Sequence, residues 1–188
     1  MKKIVFDVDD TLWALNKKVC EKTGILYEKF STFLIYENPL LTESEKKQIL
    51  WEYGNPELFK NISWFKGIKR IKQLKNVDIY INSNNLNQKC AENKFYELQK
   101  ILNLPEDHII MNITGKKQKN IKKKKIDEDT YIFVDDSPHN IAMSSARYNI
   151  MIRTPWNQSE SAKKLIKDKN VIFCSNLNEV IDTIEKIS

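Results

Sequence analysis

"IVFDVDDTLW", residues 4 to 13, sets apolar and aromatic residues on both sides of three aspartates, Asp7, Asp9 and Asp10. A short run of Ile, Val and Phe that ends in carboxylates reads as a buried strand opening onto a polar crevice. Like charges this close repel one another, and burial makes the repulsion worse. Something must therefore compensate them. A second run, "YIFVDDSPHN" (131 to 140), repeats the arrangement with Asp135 and Asp136, and "IYINSNN" (79 to 85) ends in a cluster of small polar side chains.

Further apolar runs lie at residues 3 to 7, 77 to 82, 108 to 113, 131 to 135, 150 to 153 and 171 to 174. Between them, apolar residues recur at helical spacing: Ile68, Ile71 and Leu74; Ala91, Phe95, Leu98 and Leu102; and Leu177, Val180, Ile181, Ile184 and Ile187. The last of these helices opens on Asn176 with Glu179 three residues on, a capping-box pattern. Strands that alternate with helices predict an α/β fold, a Rossmann-like parallel sheet flanked by helices.

One interval breaks the alternation. About seventy residues separate the first strand from the second, against roughly 30 for one βαβ unit. The excess reads as a helical insertion after the first strand, with a helix over residues 16 to 23 and another opened by a capping box at Thr42 and Glu45. The division is residues 1–13 and 66–188 for the core and 14–65 for the insertion. Tyr27, Phe30, Phe33, Tyr36, Trp51, Tyr53, Phe59, Trp64 and Phe65 crowd this interval. Most are expected in a small core, with one or two left to stack on a planar ligand.

Parallel sheets bind ligands at the carboxyl ends of their strands, beside the point where strand order reverses. If the first strand is central, Asp7, Asp9, Asp10, Asp135 and Asp136 converge on one crevice with residues 82 to 85. A hard divalent cation resolves their repulsion, and magnesium takes one or two carboxylates together with waters and a substrate phosphate.

"DVDDT", the serine in "IYINSNN", a downstream lysine and "FVDDSPHN" together resemble the four signature motifs of the haloacid dehalogenase superfamily of phosphotransferases. The resemblance spans residues 4 to 140, with the motifs in order. It implies a core of that superfamily's type, a helical cap inserted after the first motif, Mg2+ and an aspartyl-phosphate intermediate. Asp7 is then the nucleophile, and Asp9 the acid and base whose backbone carbonyl also helps hold the metal. Thr11 fixes the loop, Ser83 and Asn84 bind the phosphoryl oxygens, and Asp135 with Asp136 completes the metal site. The phosphate-binding lysine falls among Lys116, Lys117, Lys119 and Lys125, with Lys117 favoured. Asp10 stands where the superfamily commonly has glycine, and it has no assigned task.

"YIFVDDSPHNI" followed by "RYNIMIRTPWN" is similar to the 5'(3')-deoxyribonucleotidase branch, which implies a nucleoside monophosphate as substrate. His139 is expected to satisfy local backbone at a helix start, Trp156 to be a packing group and Arg153 a surface group. "FDVDDTLW" also resembles the magnesium-dependent phosphatase-1 group, which acts on other phosphorylated targets. A third reading, a nucleic-acid-associated phosphate-binding protein, rests on the lysine run from Gly115 to Lys125.

The whole chain sets outer bounds on these readings. Its 188 residues are 41% hydrophobic and 30% charged, with a net charge of +6, the composition of a globular domain. Neither a signal peptide nor a membrane span is expected, so a cytoplasmic enzyme without a membrane partner is. Cys20, Cys90 and Cys174 are far apart and odd in number, which speaks against a disulfide framework or a zinc knuckle.

Overall fold

The structure, a computed structural model, describes residues 1–113 and 129–188. Six strands are present among them: β1 (Lys2–Phe6), β2 (Val77–Asn85), β3 (Ile109–Ile113), β4 (Thr130–Val134), β5 (Tyr148–Ile152) and β6 (Val171–Cys174). They form one parallel sheet in the order β3-β2-β1-β4-β5-β6. The chain thus starts in the middle, builds outward on one side and then crosses to the other. That reversal lies between β1 and β4, where the aspartate motifs end.

Alternation along the strands divides the interior into two layers. Ile4 and Phe6 of β1 belong to the larger apolar cluster, while Val5 belongs to the smaller one with Phe133, Ile141, Met151 and Ile166. All three β1 side chains are fully buried, each contributing about 1.5–3 kcal/mol of apolar burial. The larger layer holds α3 (Gln88–Leu102) and α6 (Leu177–Ile187), which bury Leu98, Leu102, Val180, Ile181 and Ile184. The smaller layer holds α4 (Pro138–Met143) and the end of α5 (Glu160–Leu165). The predicted Rossmann-like core is the observed one.

Helix ends follow local chemistry. Asn87 accepts from the Cys90 N–H at the start of α3, and Asn103 takes the left-handed conformation that ends it. Asn176 accepts from Glu179 N, but the Glu179 carboxylate reaches back to the Ser175 N–H rather than to Asn176. Residues 68 to 74 differ from the α-helix expected there. Ile68–Gln73 is a 3-10 helix, whose three-residue repeat places Ile68 and Ile71 above one another in the core. It begins after Gly67, at φ 100°, where a Cβ would collide with Asn178 Oδ1.

The long interval after β1 carries α1 (Leu15–Thr23), α2 (Glu43–Tyr53) and short 3-10 turns. Thr42 and Glu45 form the expected capping box of α2. The chain leaves and returns at one place: Trp13 bridges antiparallel to Trp64, and Phe65 N donates to Leu12 O at 2.9 Å. Phe30 and Phe59 are buried here, as expected of a core. That core is continuous with the sheet's own, because Phe30, Ile49, Leu58 and Phe59 join the cluster of Ile4 and Phe6. Tyr36 and Trp51 are exposed instead. Among the described residues no helix is long and apolar enough to cross a membrane.

Candidate active site

β1 delivers Asp7 to the carboxyl edge of the sheet, where its N–H continues the ladder to Val134 O at 2.8 Å. The chain then turns sharply, with Thr11 N and Leu12 N both donating to Val8 O. That turn requires a left-handed residue, and Asp10 occupies it at φ 57°. Aspartate tolerates this region better than most side chains, and glycine tolerates it best. The geometry accounts for an aspartate where the resembled motif commonly has glycine, and it gives Asp10 a task. Its Oδ1 accepts from the Asn16 N–H at 3.1 Å, at the opening of α1, where Ala14 offers no side-chain cap. Tyr53 Oη in turn donates to Asn16 Oδ1. Burial pushes the Asp10 carboxyl well above the usual carboxylate range, and the charges of Asp9 and Asp7 add to the effect.

β4 delivers the second pair. Asp135 N donates to Ile150 O at 3.1 Å, its Oδ1 accepts from Ser137 N at 2.8 Å, and its Oδ2 accepts from Asn140 Nδ2 at 3.0 Å. Asp136 Oδ2 accepts from the Trp156 indole at 2.7 Å, and its carbonyl accepts from Asn157 Nδ2 at 3.0 Å. Trp156, expected only to pack, therefore also fixes a carboxylate. The Thr11 hydroxyl lies 3.3 Å from Asp7 Oδ2 and 3.4 Å from Asp136 Oδ1, between the two motifs.

Asp7, Asp135 and Asp136 are all buried, with one oxygen from each lying within 4.8 Å of the others. Burial, and then the charges of Asp135, Asp7 and Asp10, pushes the Asp136 carboxyl well above its usual range. Three convergent hard oxygen donors in electrostatic conflict suit a divalent cation. The Asp9 carboxylate stands outside this trio. Its Oδ1 accepts from the Trp13 indole at 2.9 Å, and its Oδ2 meets Lys94 Nζ at 2.6 Å.

Lys94 is the residue that sequence reading missed. It is 1% exposed and lies on α3, and its ammonium also donates to Ser83 Oγ at 3.0 Å and sits 4.6 Å from the centre of the Phe59 ring. A buried ammonium is tolerated only when paired and hydrogen-bonded, and Asp9 and Ser83 supply those partners. A signal was present, since Lys94 falls three residues after Ala91 and four before Leu98, on the apolar face of its helix. Lys116, Lys117, Lys119 and Lys125 lie outside the described residues.

Asp7, Asp9, Asp10 and Asp136 line one crevice of about 190 Å³ with Asn84 and Asn140. Leu15, Asn16, Phe33 and Tyr53 of the inserted segment also line it. Asn84 Oδ1 accepts from Asn112 Nδ2 at 3.1 Å, so its side chain is held in place. Ser83 is fully buried behind it. The His139 ring lies 6.0 Å from that of Phe33.

The chain matches no protein-family profile and no curated protein. Among solved structures it is similar to a hydrolase from Pseudomonas syringae, with a TM-score of 0.53 and 12% identity over 99% of this chain and 98% of the other. That likeness concerns the fold. A protein described as a beta-phosphoglucomutase from Thermotoga maritima aligns over 100% of both chains at 14% identity and a TM-score of 0.46. The HAD-hydrolase YfnB from Bacillus subtilis, bound to magnesium, aligns over 98% of both at 15% identity and a TM-score of 0.48. These two likenesses are too loose to build on.

Proposed function

We propose that this chain is a magnesium-dependent phosphomonoester hydrolase of the haloacid dehalogenase type, acting on nucleoside monophosphates. The observation that carries the reading is the buried trio of Asp7, Asp135 and Asp136 at the strand-order reversal, of which Asp7 and Asp136 line one crevice with Asp9. The motif resemblance points the same way.

Asp7 and the Asp135–Asp136 pair would hold the ion, and the Asp9 carbonyl is proposed to assist. What magnesium supplies when bound is neutralisation of the carboxylates and withdrawal of charge from the phosphoryl oxygens. The chain's own residues do the rest. The Asp7 carboxylate attacks phosphorus, the ester P–O bond breaks, and an aspartyl phosphate forms on Asp7. Asp9 gives a proton to the departing alkoxide and later takes one from the water that hydrolyses the acyl phosphate. Lys94 holds Asp9 and Ser83 in register and supplies positive charge beside the phosphoryl group, a fixed donor of the kind that stabilises charge developing in a transition state. Phe33, which lines the crevice, offers a flat surface for a base.

Phosphate release from nucleoside monophosphates, sugar phosphates and phosphopeptides, with magnesium and then with chelator, tests the reading. Magnesium-dependent release from nucleotides is expected. Release from sugar phosphates or phosphopeptides alone would refute the substrate, and no release from any of them would refute the activity.

A further inference from the structure

A second cavity, of about 490 Å³, lies on the other side of Asp10, which lines both. Its chemistry is the reverse of the crevice. Lys17, Lys66 and Arg153 line it, with Asp10 its one carboxylate, and Tyr27 and Phe65 present half-buried rings.

Elsewhere on the surface, lysines sit against acids three residues away, as in Lys18–Glu21, Lys46–Glu43, Lys60–Glu57, Lys89–Glu92 and Lys163–Glu160. Among the described residues Lys17 and Lys66 make no such ion pair, whereas the Arg153 guanidinium is turned to Gln158, at 3.1 Å, and to the Phe173 ring, at 5.0 Å from its centre, neither of which lines the cavity. Lys17 Nζ stands 5.4 Å from the centre of the Tyr27 ring.

We propose that this cavity is a second ligand site, independent of any metal, for an aromatic phosphate ester of nucleoside monophosphate size. The ring lies against Tyr27 and Phe65, and the phosphate meets Lys17 and Lys66. The volume falls in the range of small-molecule sites, about 300–1,000 Å³. Ammonium groups are common partners of phosphate.

Calorimetric titration of adenosine 5'-monophosphate in excess chelator isolates this site, because the metal-free aspartate crevice repels anions. Saturable binding is expected, and adenosine and inorganic phosphate should each bind less tightly. The double variant Lys17→Gln, Lys66→Gln changes only exposed side chains and should weaken binding at least about tenfold, equivalent to about 1.4 kcal/mol. Absence of saturable binding by millimolar nucleotide would overturn the site. So would undiminished binding in the double variant, or phosphate binding as tight as that of the nucleotide. Phosphatase turnover with magnesium is a separate readout, so failure of the proposed activity leaves this result standing, and the reverse holds too.

Discussion

Two cavities meet at Asp10, and they are built in opposite ways. The acidic crevice takes its key groups from strand ends and holds each with short hydrogen bonds: Ser137 N and Asn140 on Asp135, Trp156 on Asp136, Trp13 and Lys94 on Asp9. The basic cavity takes long, exposed side chains from the inserted segment, from Lys66 just after it and from the chain beyond β5. One arrangement holds its carboxylates by directed hydrogen bonds, as covalent chemistry needs. The other supplies charge and flat surface, which suffices for binding.

Replacing Lys94 should separate the two most strongly. Lys94→Met removes the buried cation and leaves the Asp9 carboxylate on Trp13 alone. Turnover should fall by about 10²-fold, the usual effect of losing a charge-stabilising donor, while nucleotide binding in chelator is unchanged. Steady-state kinetics beside calorimetry checks this, and equal losses in both would mean that the cavities are not separate.

Asp136→Asn acts on the electrostatic conflict. A carboxyl raised by burial and like charges takes up a proton on folding, so the metal-free protein should lose stability as pH rises from about 4 through the native value. Asparagine keeps an acceptor for the Trp156 indole and removes the charge. In chelator near pH 7 it should raise the melting temperature by about 2–4 °C, or on the order of 1 kcal/mol. Added magnesium should stabilise the wild type but not this variant. A scanning-calorimetry series over pH decides, and a wild-type profile that is flat above pH 5 would contradict the conflict.

Asp10→Asn gives the smallest effect. Asparagine accepts the left-handed backbone and can still accept from the Asn16 N–H, but it no longer carries charge toward either cavity. Nucleotide binding in chelator should tighten by less than about threefold, a fraction of 1 kcal/mol. Weaker binding would show that Asp10 does not face the basic cavity's ligand.

The acidic crevice was legible because its residues sit in compact motifs, and strand ends in a parallel sheet have one place to converge. The place of β1 between β2 and β4, and the convergence of Asp7 with Asp135 and Asp136, follow from that rule. Lys94 was not found because it sits on an apolar helical face, where a charge reads as an interruption until the partners Asp9 and Ser83 are seen. Trp156 was expected to pack, and it does, but its indole N–H bonds a carboxylate that lies 20 residues earlier. The basic cavity was invisible for a different reason. Residues 10, 17, 27, 65, 66, 153 and 154 share no spacing, and only folding places their charges together. Residues 68 to 74 show the limit of periodicity, since a repeat of three serves both a 3-10 turn and an α-helix.

The most direct test concerns Asp7. Rapid quenching during turnover with magnesium, followed by borohydride reduction and peptide mass spectrometry, converts an aspartyl phosphate to homoserine. The account predicts homoserine at residue 7, absent when substrate is omitted. Homoserine at another aspartate, or an unmodified Asp7 in an enzyme that is visibly releasing phosphate, would contradict it.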